Sequence, residues 1–352
     1  MDRLLEHLQV VDTKNRYTVL VRPNDDWQPT AGNFKTLICD YKQFSFNLLD
    51  QLTFARYLKN LEPDLVHFGM TPQEPVFFQG ARVTTTHDLT MLWFARAGRL
   101  PEWLHKLRMV GYRWLLQASL KKASRVIVPT EFVKQDVSKY EPSTATKITV
   151  TLEASEPPLA IDAKRPEIVN LDKFILYVGS AFPHKNLETL IKSFEILHTS
   201  QPELKLILAG KRELYYQQIE KLAELSPARA NIVFTGFVSD AELKWLYENA
   251  QAYVFPSLSE GFGLPGLEAM VHGCPVVSSN ATCLPEVYGD AAVYFGPNNS
   301  QDMADKIASV LSDEKLRQSL IQKGYVQAKK YSWRRMAEQT LEVYQEVLKE
   351  NR

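Results

Sequence analysis

The chain of 352 residues is poor in cysteine, carries no net charge and has no long uninterrupted apolar run. Its three cysteines, Cys39, Cys274 and Cys283, make no C-x-x-C pair, which excludes a disulfide framework and a cysteine-based zinc site. They read as reduced, buried thiols of a cytosolic protein. Lysine plus arginine (41) equals aspartate plus glutamate (41), which argues against nucleic acid as a partner, because phosphate backbones select basic domains. No stretch is apolar for long enough to cross a bilayer, and the N-terminus lacks a signal-peptide core. The expected location is the cytoplasm. A D-x-D pair is also missing, so no catalytic divalent metal is expected.

What is present is an ordinary globular composition, 45% hydrophobic and 23% charged. The length exceeds what one hydrophobic core usually supports, so two domains are expected. Short β-branched runs alternate with helical periods, the mark of a parallel α/β architecture. In the first half the expected strands are Tyr17–Arg22, Lys35–Asp40, Asp64–Phe68, Arg82–Thr86, Arg125–Val128 and Lys147–Thr151, with helices over Phe44–Leu61 and Trp103–Ala123. A polar, proline-bearing stretch from Glu153 through Pro158 to Pro166 reads as a linker. The second half predicts strands at Phe174–Val178, Leu204–Ala209, Ile232–Thr235, Ala252–Phe255, Pro275–Ser278 and Ala292–Phe295. Its helices fall at Leu187–His198, Glu213–Leu225, Asp240–Asn249 and Leu264–His272, and three more run from about Asp302 to Glu350. The domains are therefore 1–158 and 159–331. One feature departs from a doubly wound domain: the chain opens with a helix, marked by Leu4, Leu5, Leu8 and Val11, where a central strand is usual.

The densest chemistry lies in Ser257-Leu-Ser-Glu-Gly-Phe-Gly-Leu-Pro-Gly-Leu-Glu-Ala-Met270. A strand leads into it, and Pro265 suits the first turn of a helix. The amides of Phe262, Gly263 and Leu264 then face outward at a helix N-terminus, a natural phosphate site. Glu260 precedes that helix and Glu268 lies about one turn inside it. Each is either a solvated acid or, as a pair, a reader of sugar hydroxyls through charge-assisted hydrogen bonds. Gly261-Phe-Gly-Leu-Pro-Gly266 also matches G-x-G-x-x-G, but the next strand ends in Ser278-Ser-Asn280 without the ribose-binding acid, and Glu260 would crowd a pyrophosphate. An NAD site is rejected.

Two further loops follow strand ends, Gly179-Ser-Ala-Phe-Pro-His-Lys-Asn186 and Gly210-Lys-Arg212. Lys185 and Lys211 are either exposed loop lysines or the cations that neutralise a leaving diphosphate. His87, in Thr84-Thr-Thr-His-Asp-Leu89, is either a satisfied structural histidine or a hydrogen-bonding partner for a sugar or acceptor.

Glu260-x7-Glu268 within Glu-Gly-Phe-Gly-Leu-Pro, Lys185-Asn186, His87-Asp88 and Val128-Pro-Thr-Glu-Phe-Val133 together resemble the family-four retaining glycosyltransferases of GT-B fold. The resemblance covers nearly the whole chain and is most specific from Gly179 to Asn280. It implies two Rossmann-like domains facing a central cleft, with the last helix, about 332–350, crossing back onto the first. It implies transfer of a hexose from a nucleotide-diphosphate sugar of GDP-mannose or UDP-glucose type, with retained configuration, to a glycan or lipid-linked hydroxyl. By resemblance Glu260 contacts the donor hexose, Glu268 the ribose, and Gly261, Phe262, Gly263 and Leu264 the sugar-phosphate. Lys185 and Lys211, with Arg212, hold the diphosphate, Phe237-Val238 lies against the base, and His87 approaches the reacting sugar. No cofactor beyond the donor is implied.

Two departures stand out. Ser180 occupies a position where many relatives carry arginine. The first strand and the glycine-rich loop it leads into are absent, read as a truncated start. The alternatives are thus a non-catalytic or truncated nucleotide-sugar-binding protein, or another GT-B enzyme such as an epimerase or phosphorylase. From Arg96 to Arg125 eight basic residues face one acid, Glu102, with Trp103, Leu104, Leu107, Trp114 and Leu115 interleaved. This is either a helix with a solvated basic face or a peripheral contact with anionic lipid at the inner membrane face.

Overall fold

The computed structural model describes residues 1–41, 45–95, 98, 100–156, 161–169 and 173–351. Phe44, Arg96 and Pro158, at which a helix start, a basic segment and a domain boundary are expected, lie outside the described residues.

The chain divides into two compact units, one of Met1–Leu92, Arg99–Glu153 and Ser332–Arg352, the other of Trp93–Gly98 and Ala154–Tyr331. The first unit opens with helix α1 (Asp2–Val11), followed by strands β1 (Tyr17–Val21) and β2 (Phe34–Ile38) and helix α2 (Leu48–Asn60). Strands β3 (Val66–Phe68) and β4 (Arg82–Thr85), short helix α3 (Thr90–Trp93) and long helix α4 (Glu102–Lys122) come next. Strand β5 (Arg125–Val128), helix α5 (Glu131–Tyr140) and strand β6 (Ile148–Val150) complete its main run. Every described pairing is parallel. β1 pairs with β2, while the order β3-β4-β5-β6 makes a separate sheet.

The alternation of side chains along a strand sorts this unit into layers. In β5, Val126 and Val128 join a core with Leu116 and Leu120 of α4 and Val133 and Val137 of α5. Ile127, between them, points to the opposite core. There it meets Leu4 and Leu8 of α1 and Ala337, Val343, Tyr344 and Val347 of the last helix.

The second unit holds β7 (Phe174–Val178), α6 (Leu187–Ser200), β8 (Lys205–Ala209), α7 (Leu214–Glu224), β9 (Ile232–Gly236) and α8 (Asp240–Asn249). It continues with β10 (Ala252–Phe255), α9 (Leu264–Val271), β11 (Val276–Ser279), α10 (Leu284–Tyr288), β12 (Ala292–Phe295), α11 (Ser300–Ser312) and α12 (Glu314–Ala328). Its six strands are all parallel, in the order β12-β11-β10-β7-β8-β9. Phe174, Ile175, Leu176 and Tyr177 of β7 and all of β10 are buried, as strands covered on both faces must be. The strand order reverses between β7 and β10, and this is where open α/β sheets bind ligands.

The final helix, α13 (Trp333–Glu350), belongs to the first unit. The Tyr344 hydroxyl hydrogen-bonds with His67 Nδ1 at 2.5 Å, while the other ring nitrogen meets Thr85 Oγ1 at 2.8 Å. Burial, helped by the charges of His87 and the N-terminus, pushes the His67 pKa down to about 3, so the ring serves as a neutral link. Arg125 adds a clasp to Glu350 and Glu346. Of the cysteines, Cys274 and Cys283 are buried, whereas Cys39 is only half-buried, a correction to the reading of all three as buried.

Because Leu8 is 1% exposed against α13 while Val10 of the same helix is 68% exposed, the two should separate on truncation. Leu8→Ala is expected to lower the unfolding free energy by about 2–5 kcal/mol through lost burial and a residual cavity. Val10→Ala should shift it by less than about 0.5 kcal/mol. Urea unfolding followed by circular dichroism checks both; equal effects would show that α1 is not docked.

Candidate functional site

The ends of β7 and β10, neighbours in the sheet, deliver the two loops that the sequence singles out. After β7 the backbone turns through Pro183–Lys185 into Asn186, which adopts a left-handed conformation (φ 59) before α6. Asn186 holds this turn by donating from Nδ2 to the carbonyls of Pro256 (3.0 Å) and Pro297 (2.7 Å). The Leu258 amide donates to the His184 carbonyl at 2.7 Å and ties the second loop to the first. Lys185 and Glu260, 75 residues apart, are thereby brought into an ion pair of 2.6 Å. Their side chains are only 16% and 13% exposed, and the ammonium also lies over the Phe255 ring. An ion pair this sheltered is poorly screened by salt.

Glu260 is fixed from behind as well. Its amide donates to Thr282 Oγ1 (3.1 Å), and its carbonyl accepts from the Cys283 thiol (3.2 Å). Burial, with the Glu260 charge, pushes the Cys283 pKa well up, so this sulfur is a neutral donor rather than a nucleophile.

Helix α9 begins at Leu264, capped by Gly263 at φ 98, with Pro265 in the first turn. That φ is open to glycine and strained for any side chain. Gly261 and Phe262 are buried, and the Phe262 ring packs edge-on against Tyr331. The Phe262 side chain thus belongs to the core, and what the loop can offer a ligand is its main chain. Glu268, one turn on, accepts a hydrogen bond from the Tyr247 hydroxyl at 3.2 Å. Burial raises the Glu268 pKa above the usual carboxylate range, opposed by Tyr247 and by the nearby His272.

The remaining cations sit differently. Lys211 is 77% exposed and only 4.0 Å from the Glu213 carboxylate. Arg212 pairs with Glu220 at 2.8 Å and donates to the Phe234 carbonyl. Neither is joined by a described hydrogen bond or ion pair to Lys185 or Glu260. Phe237, after the left-handed Gly236 (φ 74), is 83% exposed beside half-buried Val238. An exposed ring at a sheet's carboxyl edge is a surface on which a planar base can stack.

His87 belongs to the first unit. Its Nδ1 faces Glu153 Oε1 at 3.0 Å and its Nε2 faces the Gly69 carbonyl at 3.1 Å. Both neighbours are acceptors, and a neutral imidazole has only one N–H to give. The doubly protonated ring satisfies both. Burial opposes that charge, but the hydrogen bond and charge of Glu153, with the Gly69 carbonyl, outweigh it and raise the pKa. In that doubly protonated form His87 has no lone pair with which to act as a base.

Tyr247, Thr282, Cys283, Glu153 and Tyr288 escaped sequence reasoning. Each acts on a residue far away in the chain, and no local spacing marks such a pairing.

Comparison with known proteins shows the family. Residues 161–327 match the family described as Glycosyl transferases group 1, and residues 16–151 match Glycosyltransferase Family 4. O-antigen chain mannosyltransferase B of Escherichia coli is 31% identical over 270 residues, covering 74% of this chain and 69% of that protein. The chain belongs to the group 1, family 4 glycosyltransferases. The serotype-specific mannosyltransferase WbdA of Escherichia coli is 31% identical over 244 residues, 66% of this chain, but the match spans only 30% of WbdA. Among solved structures, sucrose-phosphate synthase from Thermosynechococcus elongatus superposes with a TM-score of 0.77 over 98% of this chain and 92% of its own, at 19% identity. That likeness is one of fold, two Rossmann-like units of GT-B type.

The charge on His87 makes a pH test possible. A folded-state pKa above the ordinary histidine value of about 6.5 contributes stability that is complete below that value and is lost as pH rises through the raised one. The melting-temperature gap between the wild-type protein and Glu153→Gln should therefore be full near about pH 6 and narrow towards about pH 9. A gap that widened on the alkaline side would show that the ring is neutral.

Proposed function

We propose that this glycosyltransferase moves a hexose, with retained configuration and without a divalent metal, from a nucleotide-diphosphate sugar to a glycan or lipid-linked hydroxyl. The observation that carries the reading is the convergence of Lys185 and Glu260 beside the amino end of α9, at the reversal point of the sheet. There an ammonium and free amides offer positive charge to a diphosphate, and an anchored carboxylate offers an acceptor for hexose hydroxyls. A phosphate arriving at Lys185 would compete with Glu260 for the ammonium and free a carboxylate oxygen for the sugar. Glu268, braced by Tyr247, is assigned the ribose diol, and Phe237 with Val238 the base. Lys211 is assigned to the diphosphate as a mobile, exposed cation. Arg212, already paired with Glu220, is assigned only an indirect part.

As the sugar–phosphate bond breaks, the bonding pair leaves on the diphosphate. The acceptor oxygen bonds to the anomeric carbon on the face being vacated, and its proton passes to a departing phosphate oxygen. This division of labour needs cations on the diphosphate and no protein base, which agrees with a doubly protonated His87. The names of the relatives favour mannose as the sugar, and hence GDP-mannose ahead of UDP-glucose. The first unit is assigned the acceptor, and the site of action the cytoplasmic side.

Transfer of labelled mannose from GDP-mannose to a membrane extract, in excess chelator, tests the reading. Glu260→Gln and Lys185→Ala should each lower turnover at least about 100-fold, with melting curves showing that the fold persists. Wild-type rates in either variant, or complete dependence on added magnesium or manganese, would overturn it.

A membrane contact at the first unit is part of the same proposal. Among the described residues no helix is long and apolar enough to cross a membrane. Helix α4 nevertheless buries Met109, Leu115, Leu116 and Leu120 on one side and exposes Trp103, Leu107, Val110 and Trp114 on the other. Phe46 lies against Gly111, and Leu48, Leu49 and Leu52 of α2 are exposed too. Large exposed apolar side chains among lysines and arginines fit an anionic lipid surface. The protein should float with liposomes containing anionic lipid, and a Trp103→Ala, Trp114→Ala double variant should stay at the bottom of the gradient. Equal flotation of the two would remove α4 from the contact.

A further inference from the structure

Tyr288, at the end of α10, is fully buried and has no part in the site as assigned above. Its hydroxyl donates to the Gly263 carbonyl at 2.5 Å. Its ring and hydroxyl fill the space beside the loop, since a Cβ added at Gly263 would stand 2.5 Å from the hydroxyl oxygen and one at Gly266 only 2.3 Å from it. The loop and the phenol are therefore fitted to each other across 25 residues.

In a trans peptide the C=O and the following N–H point in opposite directions. A Gly263 carbonyl held inward on Tyr288 turns the Leu264 N–H outward, away from the helix body. That amide is the first of the unsatisfied donors at the start of α9. Gly263, being glycine at positive φ, does little by itself to keep the peptide from rotating. The Gly266 amide also donates to that carbonyl, at 3.2 Å, and the Tyr288 hydroxyl adds a second, shorter hold from outside the helix.

We propose that Tyr288 is a positioning residue for the donor's diphosphate: by holding the Gly263 carbonyl, it aims the Leu264 amide at a phosphate oxygen. This rests on the reading that the start of α9 binds the donor phosphates. It predicts an effect confined to phosphate recognition, because the base and ribose are assigned to Phe237, Val238 and Glu268.

The test is calorimetric titration of the full chain with GDP and guanosine, repeated with UDP and uridine. Three proteins are compared: wild type, Tyr288→Phe and Tyr294→Phe. The last loses a partly buried hydroxyl that donates to the Gly289 carbonyl instead. In Tyr288→Phe the ratio of nucleoside to nucleoside-diphosphate Kd should fall about tenfold, as for the loss of one charge-assisted hydrogen bond. The ratio should hold in Tyr294→Phe. Replacing Tyr288 by 3-fluorotyrosine, which keeps the hydroxyl, should restore it. Because the ratio is internal to each variant, a general loosening that weakened both ligands alike would overturn the proposal. So would an unchanged ratio, and in that case the donor site would stand. A wild-type protein that bound diphosphate no better than nucleoside would instead remove the phosphate reading itself, and the role of Tyr288 with it.

Discussion

The site depends on the contact between Lys185 and Glu260, and that contact depends on β7 and β10 being neighbours. In a parallel sheet wound in both directions, two strands that start opposite halves of the winding lie side by side, and no helix crosses over their carboxyl ends. The loops leaving those ends must share one space. Here they share it as a partly buried cation and acid, held 2.6 Å apart by a left-handed Asn186, the Leu258–His184 backbone bond and the Thr282 and Cys283 anchors. Such pairs are weak evidence for stability, since desolvation offsets the attraction.

Beneath the loops lies a floor of phenols. Tyr177 donates to the Ser180 carbonyl, Tyr216 to the Gly179 carbonyl, Tyr288 to the Gly263 carbonyl and Tyr247 to Glu268. A tyrosine can fill an apolar core with its ring and still satisfy one polar group at the surface of that core. Burial pushes all four hydroxyls upward in pKa, so they remain donors. Loops built on glycine cannot be held by their own side chains at those positions. The holding groups come from elsewhere in the chain.

Helix α4 obeys a different constraint. A helix that covers a sheet needs one apolar face, and the second apolar face on α4 gives the fold nothing. The sequence reading offered a solvated basic face or a lipid contact. The structure exposes both Lys106, Arg113, Lys121 and Lys122 and, among them, Trp103, Leu104, Leu107, Val110 and Trp114, with Phe46 and three leucines of α2 exposed nearby.

How far the chain could be read without coordinates follows from the range of the forces involved. Periodicity is local, so strands Phe174–Val178, Ala252–Phe255 and Ala292–Phe295 and helix Asp240–Asn249 stand where the pattern puts them, whereas α10, five residues long, has no period to read. Glycine, proline and acid spacing marked the loop from Glu260 to Glu268, because a helix start needs those residue types in that order. The amino-acid sequence by itself thus determined two α/β units, the helix start after Gly263 and the residues worth testing. Only the tertiary structure decided that Lys185 meets Glu260, that Arg212 is taken by Glu220, that both His87 nitrogens are engaged, and that Tyr288 stands behind Gly263. Those outcomes are set by strand order and by contacts between residues far apart in the chain, and no local pattern encodes a distance across a fold.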